Sequence, residues 1–199
     1  VPRHLPRGQR LRLLVLLHGL GETGDELAGI HAWGDRYGLV RAYERLRRPP
    51  VDRLDARRGY LTDERIDELR QLLADRPFTG LAMVCPVTPA PHRVGAVATV
   101  LDRYAGWVVD TLLPAVRARV PLAPGPWSTG IDGCSLGGYV GLEVFLRRLE
   151  AFGALGTVQG AFTAWSGRDY ARRLARAIER VGPRPIHVES STWDPYREG

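Results

Sequence analysis

The chain has 199 residues and a mass of 22.1 kDa, which suits one globular domain and excludes a long multidomain protein. Its 44% hydrophobic and 25% charged residues exclude a disordered tail or a fibrous repeat. The net charge of +6 can indicate a nucleic-acid partner, but all 28 basic residues are arginines, and no zinc-ligand spacing or basic-aromatic motif accompanies them. We attribute the charge to arginine-rich codon usage and expect no nucleic-acid partner.

The regular elements alternate along the chain. Short apolar runs predict strands, and apolar residues at helical spacing predict helices. The strands are expected at residues 11–17, 81–85, 127–134, 154–159 and 185–189. The helices are expected at residues 37–46, 62–74, 97–120, 136–149 and 169–181, with a kink or break at Pro114. This alternation predicts an α/β fold with a mostly parallel sheet and helices on both faces. We read the whole chain, 1–199, as one domain, and residues 51–75 as a helical insertion or lid-like segment.

Two other features concern the chemistry and the location of the protein. Cys85 and Cys134 are too few for a disulfide framework and have no CxxC partner for metal or redox chemistry. No run approaches the roughly 18 apolar residues that a membrane span requires, so none is expected. Because the sequence begins at Val1 and not at a methionine, the compartment stays open: a soluble cytoplasmic protein, or one exported after removal of a leader.

The strongest chemical motif is Gly133-x-Ser135-x-Gly137, at a predicted strand-to-helix junction. A nucleophile in such a tight turn needs small residues on both sides, because the neighbouring backbone approaches closely. The helix that follows directs its N-terminus at the serine, so we expect the Leu136 N–H to stabilise an oxyanion. The alternative is a glycine-rich turn with a capping serine. We interpret Cys134 as a core cysteine, not as the nucleophile.

A second motif, His18-Gly19, follows the first strand. In sites of this class the N–H just beyond the pair is the other oxyanion donor, which here is Leu20. We expect His18 itself to be structural, with its ring hydrogen-bonded to the loop.

These segments resemble the α/β-hydrolase superfamily, and within it the esterase group that includes esterase D-like and antigen 85-like enzymes. The resemblance spans about residues 11–196. It rests on His18-Gly19-Leu20-Gly21, the Gly133 to Tyr139 motif, Phe145-Leu146-Arg147-Arg148, Phe152-Gly153-Ala154 and Gln159-Gly160-Ala161-Phe162. It implies hydrolysis or transfer of small acyl esters without a cofactor, and it implies Asp194, after the last strand, as the acid. Asp169 is the fallback, and the usual order of Ser, Asp and His favours Asp194.

That order leaves the base unassigned, because none of the five histidines follows Asp194. We expect an incomplete α/β-hydrolase domain that lacks its first strands and its last helix-strand-histidine segment, with the histidine supplied from beyond Gly199. His92 and His31 are alternative bases that would break the order. A truncated sheet would also expose a strand edge, so self-association is expected.

Three functions remain open from the sequence. The first is a carboxylic ester hydrolase with Ser135 as the nucleophile. The second is a non-catalytic α/β-hydrolase scaffold or binding protein, which the missing histidine favours. The third is an acyltransferase that uses the same residues and an alcohol acceptor.

Overall fold

The computed structural model describes residues 8–52, 62–191 and 194–195. The chain divides into two compact units, of which the first comprises Val1–Trp33 and Leu81–Gly199 and the second Gly34–Gly80. The first unit contains the sheet and every candidate site residue. In the described part of the chain, no helix is both long and apolar enough to cross a membrane.

The first unit is built on five parallel strands in the order β2-β1-β3-β4-β5. The strands are β1 (Leu13–Leu17), β2 (Ala82–Val84), β3 (Thr129–Gly133), β4 (Ala154–Val158) and β5 (Ile186–Glu189). Each lies inside its predicted range, so the parallel α/β architecture is confirmed. Because all the strands run in the same direction, their carboxyl ends meet at one edge of the sheet. The loops that carry Leu20, Ser135 and Asp194 follow β1, β3 and β5 at this edge.

The helices of the first unit are α1 (Glu26–His31), α4 (Val97–Trp107), α5 (Leu113–Arg117), α6 (Leu136–Arg147) and α7 (Ala164–Val181). Helix α6 packs against β1, β3 and β4. Its apolar side chains join those of the strands in the core, where Val15, Ile131, Val140 and Phe145 are fully buried. This packing fixes the start of α6, and with it Ser135, against three strands.

The interruption predicted at Pro114 lies directly before it, because α4 ends at Trp107 and a new α-helix, α5, begins at Leu113. The chain stays helical from α4 to α5 through a wide π turn, Val108–Leu112, and Pro114 lies in the first turn of α5. Proline lacks the N–H for the regular i to i−4 bond, and its ring needs room in the preceding turn. The π turn directly before it accommodates both requirements.

Two helix starts also differ from the prediction. Helix α7 begins five residues earlier than predicted, because Thr163 and Ser166 form a reciprocal cap: the Ser166 N–H donates to Thr163 Oγ1 and the Thr163 N–H to Ser166 Oγ. Helix α1 was not predicted. It is one and a half turns long and is capped by Asp25, whose carboxylate accepts from Leu27 and Ala28 N–H.

Helices α6 and α7 are joined by a buried carboxylate. Glu143 on α6 is 4% exposed and accepts hydrogen bonds from Tyr170 and Arg173 of α7 and from Arg147 of α6. Burial by itself would raise the pKa of Glu143, but these donors outweigh it and the pKa is lowered. Arg147 also donates to Asp102 of α4 at 2.6 Å. The ionised Glu143 therefore ties α6 to the helix beside it.

The second unit contains α2 (Leu39–Arg47) and α3 (Asp63–Asp75). The helix predicted at 62–74 is confirmed, with Thr62 as its N-cap. Tyr43 and Phe78 meet edge to face at 5.2 Å, and Arg70 donates to the Val51 carbonyl and to Asp52. Residues 53–61 of the predicted insertion lie outside the described residues, so its lid-like role stays a prediction.

Candidate active site

Ser135 joins β3 directly to α6 with a backbone conformation that is rare outside glycine. Its φ is +53° and its ψ is −118°. The residue is held on both sides by the end of β4, since its N–H donates to Val158 O at 3.0 Å and its carbonyl accepts from Ala161 N–H at 3.0 Å. A serine fixed in such a conformation by its surroundings is the kind of strain that marks functional sites.

The glycines of the motif are required by packing. A Cβ on Gly133 would lie 2.4 Å from the Gly137 backbone, and one on Gly137 would lie 2.2 Å from Leu17 O. A Cβ on Gly138 would lie 2.2 Å from Thr157 Oγ1 on β4. The helix start can therefore approach β1 and β4 only because three side chains are absent.

The two predicted oxyanion donors lie at the same sheet edge. Leu136 is the first residue of α6, and Leu20 is the first residue of the 3-10 turn Leu20–Glu22. An N–H in this position has no acceptor inside its own helix. The two loops leave neighbouring strands, because Leu17 is in register with Gly133 and its carbonyl accepts from Cys134 N–H at 3.1 Å.

His18 is confirmed as a structural residue. Its ring is fully buried, and Nε2 accepts from the Thr88 N–H at 2.9 Å. Because a backbone N–H can only donate, Nδ1 carries the ring proton of the neutral imidazole and donates to Gly19 O at 2.9 Å. Nε2 thus connects the β1 loop to the loop after β2, while Nδ1 bonds within the β1 loop.

Asp194 follows β5, two strands away from Ser135 along the sheet, which corresponds to about 10 Å between strand axes. It is 5% exposed, its Oδ2 accepts from Ser190 Oγ at 3.0 Å, and its N–H donates to Ser191 O at 3.0 Å. Asp169 lies instead on the exposed surface of α7, with Arg172 at 3.5 Å. Of the two carboxylates, Asp194 is the buried one and follows a strand at the carboxyl edge of the sheet.

The histidines are distributed as follows. His31 is exposed at the end of α1, and His92 is exposed in the 3-10 turn Pro91–Arg93. His187 lies on β5, with Nε2 at 3.4 Å from Glu189 Oε2. His4 is outside the described residues. None of these positions assigns a base to Ser135.

Gln159 is, with Ser135, one of the two non-glycine residues with a positive φ in the described part of the chain, which the sequence did not predict. It lies at the end of β4, between the Ser135 and Asp194 loops, and its φ is +48°. Its N–H donates to Glu189 O at 2.7 Å and its side-chain amide to Ser191 Oγ at 3.1 Å. No sequence pattern identifies it, because glutamine has no special preference for this conformation.

Other polar groups near the site are less suited to nucleophilic chemistry. Burial raises the pKa of the Cys85 thiol to about 11, so it is protonated at neutral pH. Cys134 is in no disulfide and is half-buried, not fully buried as predicted. Burial also raises the pKa of Asp132 on β3, whose carboxylate lies against Gly156 of β4.

Among the described residues, no group of three or more His, Cys, Asp or Glu could hold a metal ion.

An apolar cavity of about 200 Å³ lies between α7 and strands β4 and β5. Its walls include Leu155, Phe162, Tyr170 and Leu174, and Asp194 also lines it. An apolar space of about 150 Å³ is enough for one benzene ring, so this cavity can accept a small apolar group.

The sequence matches no protein-family model and no curated protein. The fold does match solved structures. The protein called FAE has a TM-score of 0.54 and 14% identity, covering 92% of this chain and 57% of its own. A CE1 ferulic acid esterase from Anaeromyces mucronatus, in complex with ferulic acid, has a TM-score of 0.53 and 11% identity, covering 96% and 76%. A mutant of the feruloyl esterase module from Clostridium thermocellum, complexed with sinapinate, has a TM-score of 0.52 and 13% identity, covering 92% and 57%.

This chain therefore spans a little more than half of two of these structures. At this level of identity the likeness concerns the fold. The five parallel strands, the helices around them and these likenesses together identify the chain as one with the α/β-hydrolase fold.

Proposed function

We propose that the protein is a serine ester hydrolase that acts on small acyl esters. The observation that carries the proposal is Ser135, held at φ +53° between a buried strand and the N-terminus of α6. A hydroxyl at this position, with backbone N–H groups beside it, is the arrangement that acyl transfer requires.

In the proposed reaction, Ser135 Oγ attacks the acyl carbonyl carbon and loses its proton to a base. The carbonyl oxygen becomes an oxyanion, which the N–H groups of Leu20 and Leu136 stabilise. Collapse of this intermediate breaks the bond to the alcohol, which leaves with the proton and forms the acyl-enzyme. Water then attacks the acyl-enzyme by the same route, releasing the carboxylic acid and restoring Ser135.

The base in this scheme is an imidazole that Asp194 orients. Asp194 is suited to that role, since it is buried and its Oδ2 accepts from Ser190. The order Ser, Asp, His places the histidine after Asp194, where this sequence has Pro195 to Gly199. We propose that it comes from outside the 199 residues, so the assay compares this chain with the protein translated from its whole reading frame.

The test is hydrolysis of p-nitrophenyl acetate and of a ferulate ester; the latter is chosen because one matched esterase was solved with ferulic acid. In the protein from the whole reading frame, Ser135→Ala should lower kcat by at least about 10³-fold, and the 199-residue chain without its base should be similarly impaired. The matched control is Cys134→Ala in the same motif, which should retain activity. If Ser135→Ala keeps wild-type turnover, the proposal is wrong.

The acid is tested by a second pair of variants. Asp194→Asn should lower kcat by about 10⁴-fold, the loss known for the orienting acid of a serine triad. Asp169→Asn should leave kcat unchanged, because Asp169 lies on the exposed surface of α7. The opposite result would reassign the acid to Asp169.

A serine-directed fluorophosphonate separates an enzyme from a scaffold. Labelling at Ser135 supports an activated serine, and an unlabelled whole protein supports the binding-protein alternative. Product analysis with added methanol then separates hydrolysis from acyl transfer, since a transferase forms the methyl ester in preference to the acid.

A further inference from the structure

Residues 158–161, at the end of β4, connect the Ser135 loop to the loop after β5. The carbonyl of Val158 accepts from the Ser135 N–H at 3.0 Å, and the Ala161 N–H donates to the Ser135 carbonyl at 3.0 Å. Between these two residues lies Gln159, which bonds instead to the end of β5 and to the loop after it. One short segment therefore contacts both the candidate nucleophile and the loop of the candidate acid.

Gln159 holds the acid loop at two points. Its N–H donates to Glu189 O at 2.7 Å and its side-chain amide donates to Ser191 Oγ at 3.1 Å. Ser190 lies between these two points, and its Oγ donates to Asp194 Oδ2 at 3.0 Å. The carbonyl of Ser191 accepts from the Asp194 N–H at 3.0 Å. Two hydrogen bonds of Asp194 therefore involve the short stretch that Gln159 holds.

The backbone of Gln159 indicates that its side chain has a use. Its φ of +48° lies in the left-handed region, which glycine adopts without a steric cost and a residue with a Cβ does not. Among the described residues, every other positive φ belongs to a glycine or to Ser135. A glutamine here carries a backbone cost that a glycine would avoid, and what the glutamine adds is the amide bond to Ser191.

We propose that Gln159 is a positioning residue, which fixes the distance between Ser135 and Asp194 through its side-chain bond to Ser191. The inference rests on the proposed function, in which Asp194 orients the imidazole that takes the Ser135 proton. A displaced Asp194 would turn that imidazole away from Ser135 Oγ, and an error of about 1 Å in such an arrangement can cost about 10²-fold in rate.

The first test is Gln159→Met in the protein from the whole reading frame, because methionine keeps the length of the side chain and removes the amide. With p-nitrophenyl acetate, kcat should fall by about 10- to 10²-fold and KM should stay within about twofold. The lost bond is exposed, so Tm should stay within about 3 °C of wild type. The matched control is Gln71→Met, because the Gln71 amide donates to Asp75 at 3.0 Å on α3, and this variant should keep wild-type kcat.

The result separates this inference from the proposed function. If turnover depends on Ser135 but Gln159→Met keeps wild-type kcat, the inference is overturned and the proposed function stands.

Gln159→Gly separates a positioning role from a structural one. Glycine adopts a φ near +48° without strain, so this variant should have a Tm no lower than that of wild type. Its kcat should nevertheless fall as far as that of Gln159→Met. A purely structural residue would leave kcat unchanged in a fold of equal stability, so wild-type kcat in Gln159→Gly would contradict the positioning role.

The partner is tested by a double-mutant cycle. Ser191→Ala should lower kcat by about the same factor as Gln159→Met, because either change removes the same hydrogen bond. The double variant should then be no slower than either single variant. If the two losses multiply in the double variant, the two residues act independently and the proposed link is wrong.

Hydrogen exchange of the same protein tests these contacts without turnover. The Asp194 N–H should exchange about three- to tenfold faster in Gln159→Met than in wild type, because the Ser191 carbonyl that accepts from it is held less firmly. The Ile131 N–H, in the middle of β3, should exchange at the wild-type rate. Equal exchange of the Asp194 N–H in both proteins overturns the inference, whatever the enzyme assay shows.

Discussion

Removal of the Glu143 carboxylate should destabilise this fold strongly. Glu143→Ala deletes the shared acceptor of Arg147, Tyr170 and Arg173, and breaking a buried ion pair in this way costs about 3 to 5 kcal/mol. The two arginine side chains are 22% and 35% exposed and can turn partly to water, so we expect the lower value, about 3 kcal/mol. For a chain of this length that lowers Tm by about 6 to 12 °C.

Thermal and urea unfolding of matched variants measure this loss. Glu150→Ala is the control, because Glu150 pairs with Arg148 at 3.0 Å but is 67% exposed, and we expect a change within about 0.5 kcal/mol. Glu143→Gln should fall between the two, because the amide oxygen still accepts from Tyr170. If Glu143→Ala and Glu150→Ala melt within about 2 °C of each other, the reasoning about the buried carboxylate is refuted.

Three further predictions follow from other groups. Gly137→Ala should abolish soluble folded protein, because its methyl group would lie 2.2 Å from Leu17 O. Gly141→Ala has its nearest contacts at 3.7 Å, so it should raise the free energy of unfolding by up to about 1 kcal/mol. A stable Gly137→Ala variant would contradict this. Because the pKa of Glu143 is lowered, the carboxylate's contribution to stability is complete above pH 4.5 and declines as the pH falls through the folded-state pKa. The difference in Tm between wild type and Glu143→Gln should therefore shrink in acid. A difference in Tm that stays constant with pH argues against this. The pKa of Asp132 is raised, so its effect on stability is opposite: ionisation of Asp132 costs stability as the pH rises above 3.8. Asp132→Asn should therefore have a higher Tm than wild type at pH 7 but not at pH 3. Equal Tm values for the two proteins at both pH values would contradict this.

The strands and the serine junction could be predicted because their signals are local. A run such as Leu13–Leu17 is apolar throughout, as a strand buried on both faces must be. The glycines around Ser135 are also a local signal, because a side chain at these positions would clash where the start of α6 approaches β1 and β4. The structural role of His18, with its ring hydrogen-bonded to the loop, was likewise predicted.

The missed features depend on partners that are distant in sequence or on weak local signals. The φ of Gln159 is maintained by bonds to Glu189 and Ser191, thirty or so positions away, and nothing in the local sequence requires it. The cap of α7 uses Ser166 where a glutamate or glutamine is the usual partner of Thr163. The short helix α1 has too few residues for a clear period. The π turn before Pro114 is a packing solution that residue types alone do not specify.

The glycine contacts around Ser135 also bear on how the site is acquired during folding. Gly137 packs on the Leu17 carbonyl of β1 and Gly138 on Thr157 of β4, while Ser135 itself is bonded to Val158. The serine can therefore take its conformation only after β1, β3 and β4 have paired. The pairing of β1 with β3 joins segments more than 100 residues apart, and the pairing of β3 with β4 spans the crossover that contains α6. Such contacts form late because they close long loops. A partly folded chain would then have helices but not this serine conformation, so the reactivity proposed for Ser135 would report that β1, β3 and β4 have paired.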